Sequence, residues 1–239
     1  MPQSLGRHAP AGLAGTPGLS SRSRRRWARR LGFCYKRLRQ SLRARRDALL
    51  FAFFAQELVL LHQAEARGEL AVVYLDECRF SRQAPVSHAW QRRGQPAHPV
   101  PAERGPTGGY SLLGFWQARG PGQPFRGILY PGAFTAELVA AALDEFSREL
   151  TRPTVLVLDN ASVHRAACVQ ARQAEWARRG LRLQFLPAYS PELNLIEPLW
   201  HRFKHYWLTP HDYQDDQTLY DRIVAIANLV GHTYQITFG

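Results

Sequence analysis

Acidic residues follow two apolar runs in separate parts of the sequence. The run 155–158 leads directly into Asp159, and the run 70–75 leads into Asp76 and Glu77. An uninterrupted apolar run of this length is typical of a strand buried on both faces, and open α/β sheets bind ligands beyond the carboxyl ends of their strands. A single aspartate in this position more often caps the next helix. It is therefore the repetition of the pattern that indicates a site.

A third carboxylate comes from the stretch 181–207, which predicts a strand, a proline-bounded turn and a helix. Glu197 lies at the edge of an apolar stripe in that helix. Pro198 follows it, and proline is tolerated only in the first helical turn, whose amide hydrogens have no intrahelical partner. We therefore place Glu197 at the start of the helix. Glu192 in the preceding turn is the alternative, and the pattern favours Glu197 without deciding between them.

The chemistry open to these residues is metal-dependent. Three carboxylates that converge on one sheet edge repel each other unless a cation lies among them, and oxygen ligands without a Cys or His cluster favour Mg²⁺ or Mn²⁺ over zinc. Two such ions about 4 Å apart can activate a water or a 3′-hydroxyl and stabilise the leaving oxygen of a phosphodiester. We predict a site for two ions. Asp76 and Asp159 each bind both ions, and Glu197 completes the coordination of one ion.

Other residues near these motifs have less direct roles. Glu77 lies on the opposite face of its strand from Asp76, so we expect it to support the site rather than to bind metal. His164 lies in the first turn of a predicted helix, and we interpret it as hydrogen-bonded near the site rather than as a ligand. Trp90 and Trp116 are able to stack on bases, but burial in the core is the simpler interpretation.

The positive charge of the chain is confined to its first 50 residues. The formal net charge is +12; residues 1–50 contain 13 Lys or Arg against one acid (13 − 1 = +12), and the remainder contains 18 of each sign. Such a block is typical of nucleic-acid contact, because each cation that meets a phosphate releases counterions; a solvated tail without a partner is the alternative. The predicted DNA contacts are Arg24, Arg25, Arg26, Arg29, Arg30, Lys36 and Arg37.

Hydrophobic periodicity predicts the elements that position these residues. A strand ends near Asp76, two strands in hairpin style cover 110–118 and 125–131, and strand and helix then alternate as far as the helix of Glu197. This order indicates an α/β fold, a mixed sheet with helices on both faces. The strand after the turn is predicted at 181–186, and helices are predicted at about 135–150, 163–179 and 216–230.

Composition divides the chain into four segments. Residues 1–21 are rich in Gly, Pro, Ser and Ala and are predicted to be disordered. Residues 22–68 form a basic helical arm, interrupted at Gly32 and containing a helix from Ser41 to Gly68. Residues 69–210 form the catalytic domain, and residues 211–239 a final helix and tail.

Several classes of protein are excluded by composition. No run approaches 18 consecutive apolar residues, and the N-terminus lacks the pattern of a secretory signal. The three cysteines are scattered without zinc-ligand spacing and suit a reducing compartment. At 239 residues and 45% hydrophobic content, the chain is long enough to bury a full core. We therefore expect a cytoplasmic, nucleoid-associated protein that does not contact a membrane.

Four stretches resemble the signatures of a known family, the DDE transposases. YLDE at 74–77, LDNASVH at 158–164 and LPAYSPELNLIEPLW at 186–200 resemble its three catalytic motifs. RLGFCYKR at 30–37 resembles the segment that joins the DNA-binding region to the catalytic domain. The bacterial insertion-sequence branch of the mariner-like superfamily is the most similar, and Leu195 departs from its usual proline.

The resemblance implies a ribonuclease H-like fold, a mixed five-stranded sheet flanked by helices. It implies a catalytic triad of Asp76, Asp159 and Glu197, which would decide against Glu192. It also implies an endonuclease and strand transferase that uses two Mg²⁺ or Mn²⁺ ions in cut-and-paste transposition. The residues expected to support the triad are Glu77, Asn160, His164 and Asn194.

The implied partner is double-stranded DNA, both transposon ends and TA target sites, bound by a homodimer. Members of the family usually carry helix-turn-helix domains before the catalytic core, whereas 26 residues precede Trp27 here; a truncated or frame-shifted copy is the expectation that follows. Two other functions stay open. One is an inactive DNA-binding remnant of a transposase, and the other is a ribonuclease H-like nuclease that acts on RNA–DNA hybrids or junctions.

Overall fold

The computed structural model describes residues 21–33, 45–81 and 108–238, which belong to two compact units, Met1–Ser41 and Leu42–Gly239. The predictions made for most of 1–21 and for Lys36, Arg37 and Trp90 lie outside the described residues, as does the side chain of Arg24.

In the first unit, the helix α1 spans Ser21–Arg30. It ends at Gly32, whose φ of +82° is the left-handed conformation that commonly closes a helix. The N–H of Phe33 donates to the carbonyl of Ala28 at 2.8 Å, as in that terminating turn. The interruption predicted at Gly32 is confirmed. Arg25, Arg26, Arg29 and Arg30 are exposed on α1.

The second unit begins with a long helix, α2, at Ala48–Ala66. We expected this helix to begin at Ser41, but it begins at Ala48 because the Asp47 carboxylate accepts from the N–H groups of Leu49 and Leu50, at 2.9 and 3.0 Å. It ends before Gly68, as predicted; the φ of that glycine is +79°.

By length and composition, α2 is able to cross a membrane, and no other helix in the described ranges is. One such helix is weak support for a membrane span, because core helices of soluble proteins meet the same criterion. Leu58 and Leu61 of α2 are buried in the core, whereas Leu49 is 85% exposed. The absence of a membrane partner stays a prediction.

Five strands form one mixed sheet in the order β3-β2-β1-β4-β5. β1 pairs antiparallel with β2, and β2 antiparallel with β3. β1 pairs parallel with β4, and β4 parallel with β5. The predicted mixed five-stranded sheet is confirmed. The strands are β1 (Ala71–Phe80), β2 (Tyr110–Trp116), β3 (Phe125–Pro131), β4 (Thr154–Leu158) and β5 (Leu181–Phe185).

The register of β1 and β4 brings two predicted site residues to the same level. Their last parallel pair is Tyr74 with Val157, so two residues further along each chain lie Asp76 and Asp159. The strand β1 does not end near Asp76 as we expected. It continues to Phe80 because its antiparallel pairing with β2 extends beyond the end of β4. Asp76 therefore lies within a strand, beside the point where β4 ends.

Helices cover both faces of the sheet, as predicted. On one face α2, α6 and α7 enclose a core that includes Trp200 and Phe203. On the other, α3 and the short helices α4 and α5 pack around Leu143 and Trp176. The helices are α3 (Ala136–Arg148), α4 (Ala167–Gln170), α5 (Gln173–Arg178), α6 (Glu197–Arg202) and α7 (Asp216–Leu229). A 3₁₀ turn at Pro191–Leu193 precedes α6, and a π-helical segment at Phe203–Trp207 follows it.

The single helix predicted at 163–179 is wrong. Residues 162–165 form a turn, and two short helices follow it. The cause is the Asp159 side chain, which accepts from the N–H of Ala161 at 2.9 Å and also contacts His164. These bonds hold the segment after β4 in a turn. His164 consequently lies in that turn and not in the first turn of a helix.

Candidate active site

Asp76 lies on the β1 face that contributes Tyr74 and Cys78 to the core around α6. Its Oδ2 accepts a hydrogen bond from the indole Nε1–H of Trp200 at 3.0 Å. The Trp200 ring fits there because its neighbour on β2 is Gly114; a Cβ at that position would lie 2.5 Å from the ring. Burial and this bond fix the position of the carboxylate. Trp200 belongs to the apolar stripe of α6, which indicates burial, but no local pattern in the sequence indicates this bond.

The three predicted catalytic carboxylates are close enough to alter each other's protonation. Burial, and after it the negative charges of Glu197, Glu77 and Asp159, together raise the pKa of Asp76 to about 7. The pKa of Glu197 is also raised, by burial and by the charge of Asp159, and Lys204 offsets part of this rise. The fold therefore concentrates negative charge at the end of β4.

Glu192, the alternative to Glu197, has a different partner. Its carboxylate forms an ion pair with Arg46, which precedes α2, at 3.5 Å. It is not among the charges that raise the pKa of Asp76. Glu197 opens α6 with Pro198 in the first turn, as predicted, and its own N–H donates to the carbonyl of Asn194 at 3.1 Å.

His164 joins two acidic residues from separate strands. Its side chain is fully buried; Nδ1 lies 2.8 Å from Asp159 Oδ1 and Nε2 lies 3.0 Å from Glu77 Oε1. Burial disfavours the charged imidazolium, but the hydrogen bonds and charges of the two carboxylates outweigh it and raise the pKa of His164 to about 10. The charged ring thus donates from both nitrogens.

This imidazolium acts on Asp159 more than on Asp76. The hydrogen bond from His164 lowers the pKa of Asp159, and burial offsets only part of that effect. About half of the Asp159 side chain, 51%, is exposed. The site therefore holds one partly exposed, ionised carboxylate beside a buried one that is protonated more easily.

The two asparagines expected to support the triad lie in the connecting turns. The Asn160 Nδ2–H donates to the carbonyl of Leu186 and ties the end of β4 to the end of β5. Asn194 is buried and lies three residues before Glu197, the first residue of α6. Within the described ranges, the Oδ1 atoms of Asn160 and Asn194 are buried without a hydrogen-bond partner.

The donor set fits a divalent cation in its chemistry. Asp76, Asp159 and Glu197 supply hard carboxylate oxygens, and their mutual repulsion is what a bound cation would relieve. In the described part of the chain, no group of three or more His, Cys, Asp or Glu side chains is already arranged as a metal site.

Trp116 is fully buried, which confirms its expected place in the core.

Comparison with known proteins agrees with this geometry. The profile of the DDE superfamily endonucleases matches residues 71–220. A search of curated proteins finds no match. A solved Mos1 mariner paired end complex with Mn is 18% identical with a TM-score of 0.52, covering 88% of this chain and 68% of that one. A pre-cleavage Mos1 transpososome is 17% identical with a TM-score of 0.50, covering 92% and 72%.

These likenesses show that the chain has the ribonuclease H-like fold of the Mos1 catalytic domain. The chain spans about two thirds of the length of the Mos1 chains that it matches. Endonucleases of this superfamily use divalent metal ions, and assignment to the bacterial insertion-sequence branch stays a prediction. Because its profile match covers the whole sheet, the helices from α3 to α6 and the start of α7, the chain belongs to the DDE superfamily of endonucleases.

Proposed function

We propose that the chain cleaves DNA strands and transfers them to a target, as the catalytic domain of a transposase. The observation that carries the proposal is the electrostatic coupling of Asp76, Asp159 and Glu197, which come from a strand, a strand end and a helix start. Acidic residues without a shared function lie apart on the surface, where their charges repel each other least, and are not held together in a half-buried position. The fold and family of the chain support the same activity.

We assign the metal ligands to these three residues. Two Mg²⁺ or Mn²⁺ ions, when bound, activate the attacking water or 3′-hydroxyl and stabilise the leaving oxygen. Around them, the His164 imidazolium keeps Asp159 ionised and oriented, and the Trp200 indole holds one oxygen of Asp76. Glu77 anchors the opposite side of the His164 ring.

The proposed partner is double-stranded DNA, with transposon ends and TA target sites as substrates and a homodimer as the active form. The solved Mos1 mariner paired end complex with Mn and the pre-cleavage Mos1 transpososome support this assignment. The exposed arginines of α1 supply a polycationic contact that suits a phosphate backbone. We place the protein in the cytoplasm, at the nucleoid.

Metal-dependent nicking of supercoiled plasmid tests the activity. The wild-type chain should nick DNA with Mn²⁺ and not with EDTA, and Asp159→Asn should abolish nicking. Glu192→Gln is the matched control: it removes a nearby carboxylate that pairs with Arg46 and should leave nicking unchanged. DNA binding without nicking would identify an inactive remnant, and cleavage of RNA–DNA hybrids alone would identify a different nuclease.

A further inference from the structure

A basic and aromatic surface continues the helix that begins with Glu197. After α6 the chain passes without a break into the π-helical segment Phe203–Trp207. Its inner side, including Trp200 and Phe203, is buried. The outer side is formed by His201, Arg202, Lys204, His205 and Tyr206, which we call the 201–206 surface.

The exposed side chains of the 201–206 surface contact one another, whereas the Lys204 ammonium lies 5.8 Å from the ring centre of the buried Phe80. The rings of His201 and His205 lie 4.6 Å apart, and those of His201 and Tyr206 lie 5.7 Å apart. The Arg202 guanidinium lies 5.0 Å from the Tyr206 ring centre. Tyr206 is 62% exposed, the most exposed aromatic side chain in the described part of the chain. The Tyr206 ring is therefore exposed to solvent beside the Arg202 guanidinium.

The charge of this surface is not neutralised locally. No acidic residue occurs between Glu197 and Asp212 in the sequence, and the ion pairs found among the described residues include neither Arg202 nor Lys204. Partial burial lowers the pKa of His205, and the neighbouring charges of His201 and Lys204 lower it further. Such a cluster of cations is complementary to a polyanion.

The position of the surface connects it to the carboxylates. The charge of Lys204 acts on Glu197, which lies two helical turns earlier, and on Cys78, which follows Asp76 on β1. The π-helical turn adds a residue to the helix, and such turns are frequent at functional sites. The 201–206 surface, with its cations and its exposed ring, thus begins beside the acidic site and extends away from it.

We propose that the 201–206 surface binds the DNA strand that leaves the carboxylate site, with Tyr206 stacked on an unpaired base and Arg202 and Lys204 on phosphates. The inference rests on the proposed function, since it takes the reacting DNA to lie at Asp76, Asp159 and Glu197. An unpaired base is required because a paired base within a duplex does not offer its face to a protein ring. The phosphates account for the cations of the same surface.

Binding of two DNA substrates tests the proposal. Fluorescence anisotropy would give the Kd for a blunt duplex and for the same duplex with a short unpaired 3′ extension that contains 2-aminopurine. Tyr206→Ala should weaken binding of the extended DNA about tenfold, with loss of the 2-aminopurine quenching. It should change the affinity for the blunt duplex less than twofold. Tyr206→Phe keeps the ring and should bind both substrates like the wild type.

The matched control is Tyr130→Ala. Tyr130 is 37% exposed and its ring lies 5.6 Å from that of Phe134, in the core layer on the opposite face of the sheet. This variant should bind both substrates normally. Arg202→Gln and Lys204→Gln should each reduce the slope of log Kd against log salt by about one, on both substrates.

The proposal would be overturned if Tyr206→Ala bound the extended DNA like the wild type, or if Tyr130→Ala weakened it equally. These results are separable from failure of the proposed function. If the wild type nicks plasmid and Tyr206→Ala binds the extended DNA normally, the proposed role of the 201–206 surface is wrong and the proposed nuclease activity is retained. If the wild type binds the extended DNA through Tyr206 but does not nick plasmid, the proposed nuclease activity is wrong and the proposed role of the 201–206 surface is retained.

Discussion

The indole N–H of Trp200 donates to the Asp76 carboxylate at 3.0 Å, although 124 residues separate the two in the chain. This bond joins the helix that begins with Glu197 to the strand that carries Asp76. It therefore positions two of the three proposed metal ligands relative to each other, through a residue whose ring also fills the core beside Gly114.

Trp200→Phe should weaken metal binding while retaining most of the packing. The substitution keeps an aromatic ring and removes the donor, which should cost about 1–2 kcal/mol of unfolding free energy and reduce Mn²⁺ affinity measured by calorimetry. Trp176→Phe is the control, because the Trp176 indole N–H also donates to an aspartate, Asp144, at 3.3 Å, on the other face of the sheet. Trp176→Phe should lower the free energy of unfolding without changing Mn²⁺ affinity. Equal Mn²⁺ affinities in the two variants would show that the Trp200 hydrogen bond does not position Asp76 for metal binding.

Asp76→Asn should stabilise the metal-free protein and abolish nicking. The pKa of Asp76 is raised from 3.8 to about 7, so the folded state binds its proton more tightly than the unfolded state does. Ionising Asp76 therefore costs stability, and the cost is absent below about pH 3.8 and complete above about pH 7. At pH 8 the variant should gain at least about 1 kcal/mol in urea unfolding, and at pH 4 almost nothing. A gain that did not depend on pH would contradict the raised pKa of Asp76.

His164→Gln should lower the free energy of unfolding only in the pH range in which the wild-type His164 ring is charged. The pKa of His164 is raised from 6.5 to about 10, so its contribution is complete below about pH 6.5 and is lost as the pH rises to about 10. Thermal melting of wild type and variant should differ most at pH 6 and converge near pH 10. A constant difference across this range would mean that the ring contributes only packing.

Gly114→Ala should damage the site from the neighbouring strand. The added Cβ would lie 2.5 Å from the Trp200 ring and 2.8 Å from that of Phe125, so both rings must move. Overpacking of this kind costs about 1–3 kcal/mol. It should reduce Mn²⁺ affinity, as Trp200→Phe does, and reduce nicking with it. Nicking at the wild-type rate would show that the Trp200 ring tolerates displacement.

Local sequence patterns predicted the end of β4 and the start of α6 because those features depend on neighbouring residues. The apolar run before Asp159 and the proline after Glu197 are such signals, and the alternation of a strand placed Glu77 opposite Asp76. The extension of β1 depends on pairing with β2, a long-range contact that the spacing of residues does not encode. The same holds for the bond from Trp200 and for the second carboxylate on His164.

The central claim is that Asp76, Asp159 and Glu197 together bind divalent cations. The most direct measurement is anomalous diffraction from crystals grown with Mn²⁺. We predict manganese peaks within about 2.2 Å of carboxylate oxygens from all three residues. Peaks held by Glu192 in place of Glu197, or no peak between β1 and the end of β4 at saturating Mn²⁺, would contradict it.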